Sequence, residues 1–244
     1  MRMYNLNLKT TFMNRLFRYL MMSVLALCTA GFVSCGDDDD DESSQSSNDT
    51  TNELTGSKTS PAEISGGKWV INWQKSKAYA EMNGMKGQTS MEEGGLNGLF
   101  MTEMDFYSDG TMDCAIDTLK SKGTYSIDGL EFTSTYDILL HVQNWDAEGN
   151  TQESYKRKSF TFKKGADLSD CLYGELGVSE KPMTYEITKY EITKSDSRLF
   201  VTMVVNIGYN LGVDSGDMGE WGGMFDNLMK SKKEISYYLV YDKK

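Results

Sequence analysis

Two Asp-Gly pairs, Asp109-Gly110 and Asp128-Gly129, stand between runs of alternating apolar and polar residues, and they constrain the fold more than any other feature of the chain. A tight hairpin turn needs positive φ angles, which Asp-Gly adopts at low cost, so the runs on either side are expected as antiparallel neighbours. Those runs are Leu99 to Tyr107, Thr111 to Leu119, Gly123 to Ile127 and Leu130 to Trp145. Upstream, Trp69, Ile71 and Trp73 alternate with Val70, Asn72 and Gln74, which is the period of a strand. Turn signals at Glu148-Gly149-Asn150 and Ser195-Asp196-Ser197 bound further strands near Gln152 to Lys163, Met183 to Thr193 and Arg198 to Ile207, and a last strand runs from Glu234 to Tyr241.

With two prolines in 244 residues and many aromatic and β-branched side chains, the expected class is all-β. Alternation gives each strand one apolar face, as in Leu199, Val201, Met203, Val205 and Ile207, or in Ile235, Tyr237, Leu239 and Tyr241. Such faces meet in a common interior, so an antiparallel meander of about eight strands closing as an up-and-down barrel is expected, with a two-sheet β-sandwich as the alternative. Lys75 to Asn97 is irregular, with scattered Met82, Met85 and Met91 among glycines, and reads as a loop with a helical turn or two. This loop and the Asp214 to Lys230 segment are the expected gates over the barrel end. The near repeat Tyr185-Glu186-Ile187-Thr188 and Tyr190-Glu191-Ile192-Thr193 has an odd offset, which predicts a bulge near Lys189 or a strand that switches faces.

The first 34 residues contain Arg2, Lys9, Arg15 and Arg18, no acid, and an apolar run from Leu20 to Cys28 that ends in small residues. This is the pattern of an export signal. Thr29 and Gly31 break the run short of the ~20 apolar residues that a spanning helix needs. Phe32-Val33-Ser34-Cys35-Gly36 resembles the lipobox of bacterial lipoproteins, which implies cleavage before Cys35 and lipid on that cysteine. Several acyl chains hold a protein on a membrane where one binds marginally. Asp37, Asp38, Asp39, Asp40 and Asp41 follow, then Glu42 and a Ser-rich tract; residues 35–61 have little to bury and read as a stalk. An acidic cluster beside such a cysteine is similar to the export signal of Bacteroidota-type surface lipoproteins, which implies the outward face of the outer membrane. Residues 62–244 form the expected single domain.

Within that domain Gly67-Lys68-Trp69, Phe106-Tyr107-Ser108-Asp109-Gly110-Thr111 and Gly123-Thr124-Tyr125-Ser126-Ile127-Asp128-Gly129 resemble the lipocalin-like domains of Bacteroidota-type lipoproteins. The resemblance covers mainly Gly67 to Phe132. It implies a barrel opened by a tryptophan-bearing strand and a site for a small apolar ligand.

Motifs that would name a reaction are missing. Thirty-six acidic residues against 25 basic ones make nucleic acid a poor partner, and loss of the leader removes four of the basic residues. His141 is the lone histidine, so a His-rich zinc site has no ligands, and no Cys-x-x-Cys pair or Gly-x-Ser-x-Gly elbow replaces it. No catalytic residue, metal site or cofactor is expected. Asp214-Ser215-Gly216-Asp217-Met218-Gly219-Glu220 offers oxygen ligands suited to calcium, but it departs from the EF-hand pattern, and acidic loops are ordinary in an acidic chain. Cys114 and Cys171 either form a disulfide or stay as buried thiols.

Two functions of different kinds fit these residues. The first is a binding module for a small apolar or amphipathic ligand, contacted by Trp69, Trp73, His141, Trp145 and Trp221. The second is a structural or accessory subunit of an outer-membrane surface complex, for example one that captures glycans. A filled or an open barrel interior separates them.

Overall fold

A computed structural model describes residues 56–82, 84–91, 96–145, 151–172, 183–209 and 233–244, except for the side chains of 141–145, 151–153, 170, 172, 183 and 209. Eleven strands occur among them: β1 (Lys68–Ile71), β2 (Lys77–Met82), β3 (Met85–Thr89), β4 (Glu103–Phe106), β5 (Thr111–Ile116), β6 (Leu119–Asp128), β7 (Glu131–Trp145), β8 (Thr151–Phe162), β9 (Met183–Ser195), β10 (Arg198–Tyr209) and β11 (Lys233–Lys243). Two single-turn helices accompany them, α1 (Pro61–Ile64) and α2 (Ser169–Leu172).

Eight strands close an antiparallel barrel in the order β1-β4-β5-β6-β7-β9-β10-β11, and β1 returns to β11 through the pairs Trp69 with Lys243 and Ile71 with Tyr241. The sandwich alternative is thereby set aside. The narrowest seam lies between β7 and β9, which share the pair Glu131 with Glu191 and a bond from Ile192 N–H to Leu130 O at 3.0 Å. Beyond it Gly165 to Leu168 pairs along β9, with Gly165 N–H to Ile187 O at 2.7 Å and Leu168 N–H to Tyr185 O at 2.8 Å. The buried Leu168, Ser169 and Cys171 follow at the same seam.

Three strands lie outside the closed ring. β8 pairs with β7, and β2 pairs with β11 and carries β3 on its other side. The expected loop from Lys75 to Asn97 is thus corrected: its first half is a hairpin. Backbone pairing onto β11 holds that hairpin, not an apolar face, so β3 is solvent-exposed and shows no periodicity to read.

Other boundaries moved for local reasons. The expected strand Thr111 to Leu119 ends at Ile116, because Asp117 takes a φ of 51° and turns the chain without a glycine. Its N–H donates to Thr102 Oγ1 at 3.1 Å. The expected strand from Leu99 begins only at Glu103; Asn97–Leu99 is a 3-10 turn. Trp73 leaves the first strand for the turn before β2. Gly110 and Gly129 have φ of 84° and 64°, and the tight turn after β6 is Gly129-Leu130, framed by the pair Asp128 with Glu131.

The expected bulge is present one residue from the expected place. Val204 pairs with Lys189 and Val205 with Ile187, so Thr188 is the extra residue. Tyr185, Ile187, Tyr190 and Ile192 are all buried as a result.

Candidate functional site

The interior of the barrel is where the sequence directs attention, and among the described residues side chains pack into it. Trp69, Phe106, Phe132, Ile138, Phe162, Ile187 and Tyr237 are fully buried. Aromatic rings meet at several points, including a stacked pair, Tyr136 with Phe162, at 4.6 Å, and an edge contact of Phe106 with Tyr125 at 4.7 Å.

Each end has its own plug. At one end Ser60 and Glu63 form a capping box around α1, Pro61 sits at the first helical position, and Ile64 is driven inward. Ile64 O accepts the Trp69 indole N–H at 2.9 Å, and Lys243 Nζ lies 5.7 Å over the Trp69 ring. Three hydrogen bonds, from the Ser60 hydroxyl, the Ser60 N–H and the Thr59 hydroxyl, hold the Glu63 carboxyl below its ordinary range. At the other end Leu96, Leu99, Phe100 and Met101 are buried, and two interior hydroxyls bind the segment: Tyr136 donates to Leu99 O and Tyr241 to Met101 O, each at 2.9 Å. Tyr190 shares a 3.0 Å hydrogen bond with Ser134. Burial raises the Tyr136, Tyr190 and Tyr241 phenols above the usual tyrosine value. Between Phe100, Met101, Tyr136, Phe162, Tyr190 and Tyr241 remains a void of about 10 Å³. That is room for about one water, whereas small-molecule sites occupy roughly 300–1,000 Å³.

The outer wall holds a larger concavity. An open cleft of about 430 Å³ is lined by Lys68, Glu103, Asp113, Lys120, Lys122 and Arg157, among others. Its walls carry both signs: Lys68 pairs with Glu103 at 2.5 Å, and Arg157 Nε with Asp137 at 2.6 Å while its Nη2 donates to Lys120 O. The Lys68 ammonium lowers the Glu103 pKa. Cross-strand ion pairs of this kind stabilise a sheet face.

Of the expected contact residues, the two with described side chains, Trp69 and Trp73, lie apart. Trp69 is core at the α1 end with its N–H engaged, and Trp73 is exposed on the outer turn. His141 and Trp145 lie on β7 opposite Tyr155 and Thr151, and their side chains lie outside the described residues. Trp221, the Asp214 to Glu220 loop, the gate segment Asp214 to Lys230, Cys35 and Asp37 to Asp41 lie outside them too. Sequence reasoning missed the tyrosine hydroxyls that bind the Leu96–Met101 plug: alternation put Tyr241 on the inward face but not which carbonyl it reaches, and Tyr136 was not singled out.

Cys114 and Cys171 are both buried and unbridged. Burial raises the Cys114 thiol pKa, and its sulfur lies 3.2 Å from Ser121 Oγ, the setting of a protonated, unreactive thiol. Among the described residues no three His, Cys, Asp or Glu side chains gather as metal ligands, and no helix is long and apolar enough to cross a membrane. No protein-family model, curated protein or solved structure matches the chain.

Proposed function

We propose that this chain is a lipid-anchored module of a bacterial outer-membrane surface that serves as an accessory subunit, meeting partners on its outside. The observation that carries this reading is the filled interior, plugged at both ends, with a void of about 10 Å³ where a ligand carrier needs a chamber. Support for the anchor is the Val33-Ser34-Cys35-Gly36 site behind an apolar run, and support for outward display is the Asp37 to Asp41 tract. The domain is entered at Gly56 and Ser57, beside Lys194 and the β9–β10 turn.

The sequence-based ligand reading remains the second proposal, on one observation: the void lies against Phe100 and Met101, whose displacement would widen it. Titration with apolar fluorescent probes separates the two. We expect no saturable quenching of tryptophan emission; saturable binding at one site per chain would overturn the accessory reading in favour of the carrier. Anchoring is tested apart from this. Cys35→Ala should abolish fatty-acid labelling, and labelling equal to the unsubstituted chain would remove the lipid anchor from the proposal.

A further inference from the structure

The open cleft on the outer wall has a structural origin. β6 and β7 pair from Thr124 with Thr135 to Asp128 with Glu131; before Thr124, among the described residues, β6 keeps β5 as its neighbour while β7 runs on with β8. The wall is therefore split beside residues 119–123. Arg157 spans the split, with Nε on Asp137 of β7 at 2.6 Å and Nη2 on Lys120 O of β6 at 3.1 Å. Buried Met104, Cys114, Ala115 and Ser121 make the floor, and the volume of about 430 Å³ falls in the range of small-molecule sites. Charge is arranged unevenly around this floor. Lys68 is satisfied by Glu103 and Arg157 by Asp137. Among the described residues, Lys120 and Lys122 have no carboxylate within ion-pair distance, and Asp105 and Asp113 have no cation. Lys120 and Lys122 are two apart on β6, so their side chains leave the same face of the sheet about 7 Å apart. Asp105 and Asp113 stand directly opposite one another on β4 and β5, an arrangement of like charges that destabilises a sheet unless something positive lies between them. The Tyr107 hydroxyl donates to Asp113 at 3.0 Å, which eases the pair without neutralising it. Asp113 is in turn the cross-strand partner of Lys122, so the cationic and the anionic pair are neighbours.

We propose that this cleft binds a small zwitterion, its carboxylate between Lys120 and Lys122 and its ammonium between Asp105 and Asp113. From the midline of β4 and β5 to β6 is one and a half strand spacings, about 7 Å. An ammonium and a carboxylate about six bonds apart reach that span when extended, because three chain bonds cover roughly 3.6 Å. The ligand class is thus an ω-amino acid, or the lysine at the end of a peptide, which carries the same two groups at the same separation. An α-amino acid holds its charges too close together to reach both walls. The apolar floor of Met104, Cys114 and Ala115 suits the methylene chain between the charges. A ligand with a single charge meets one wall and leaves the like charges of the other as they were. The site lies on the outer wall, so it depends neither on an opening of the barrel interior nor on the lipid anchor.

Calorimetric titration of the full chain is the test. ε-Aminocaproate should bind saturably, one per chain, whereas glycine, hexanoate and hexylamine should bind at least about tenfold more weakly, the loss of one charged hydrogen-bonded contact. Lys120→Gln with Lys122→Gln, at exposed positions on β6, should weaken ε-aminocaproate by at least about tenfold without weakening hexylamine. Asp105→Asn should weaken ε-aminocaproate and hexylamine together and spare hexanoate. Unchanged thermal melts show that these surface variants keep the fold. A short peptide ending in lysine that binds as tightly as ε-aminocaproate, and loses affinity when its carboxylate is amidated, makes peptide ends the source of the ligand; weaker peptide binding makes it the free ω-amino acid. Absence of saturable heat with ε-aminocaproate, single-charge compounds bound as tightly as the zwitterion, or affinity indifferent to the lysine substitutions would each overturn the proposal.

Discussion

Trp69 is held by three kinds of contact: a fully buried ring, an indole N–H bound to Ile64 O, and the Lys243 ammonium over its face. Trp69→Phe keeps much of the packing but leaves Ile64 O without that donor, a loss of about 1 kcal/mol, while Trp69→Ala also opens a cavity and should cost about 3–5 kcal/mol. Chemical denaturation of both variants measures the difference, and an unchanged stability of Trp69→Phe would mean the hydrogen bond contributes nothing. Lys243 shows why such a contact was hard to read in advance. The alternating apolar pattern of the last strand stops at Tyr241, whereas backbone pairing carries β11 two residues further. The interior tyrosines give a second residue-scale expectation. Tyr136, Tyr190 and Tyr241 have folded pKa values raised above the unfolded value near 10, so the stabilisation they represent is fully present below pH ~10 and is lost as pH rises beyond it. Each contributes up to about 1.4 kcal/mol per pH unit in that window. Spectrophotometric titration should show these phenols ionising only as the barrel unfolds; smooth ionisation of all tyrosines in a folded chain would contradict their burial.

Among the elements, β9 makes the clearest case that one residue sets the faces of a strand. Its repeated Tyr-x-Ile pairs are five residues apart, and without Thr188 as an extra residue one pair would point to solvent. Deleting Thr188 removes the bulge and forces that choice, so it should destabilise the domain by several kcal/mol, about the cost of exposing Tyr185 and Ile187 at 1.5–3 kcal/mol each. A thermal melt unchanged by the deletion would mean the register slips without penalty. The bulge was legible because both pairs are strongly apolar and the strand is central. β2 and β3 were not, because a ribbon held by backbone bonds on its flank has no buried face to impose a period. The turn at Asp117-Thr118 was hidden for the opposite reason: Asp117 adopts positive φ where the usual signal is a glycine. Less of the site than of the fold was legible in the sequence. Aromatic residues identify a core and a ligand chamber equally well, and the distinction lies in plugs, such as Leu96–Met101, whose positions depend on contacts between distant parts of the chain.

For the molecule as a whole, the α1 end concentrates carboxylates whose pKa values are lowered. Ser60 hydroxyl and backbone groups lower Glu63, Thr111 groups lower Asp109, the Asn72 amide, aided by Lys75 and Arg198, lowers Asp242, and Lys68 lowers Glu103. A depressed folded pKa adds stability above the ordinary carboxylate range, and that contribution disappears as pH falls through the folded values. Acid should therefore loosen this end first. Hydrogen exchange below pH ~4 should show β1 and β11 losing protection before the β9–β10 pairing does, and the reverse order would count against the assignment. The same end has a mechanical consequence. Ser57 pairs with Lys194, and Lys244 N–H binds Lys68 O, so the incoming chain and the C-terminus leave the barrel side by side. A pull on the incoming chain reaches the short Ser57–Lys194 bridge and the single turn of α1 before it reaches any long ladder. These parts act as a fuse: they yield and lengthen under load, while the closed ring of strands keeps its shape.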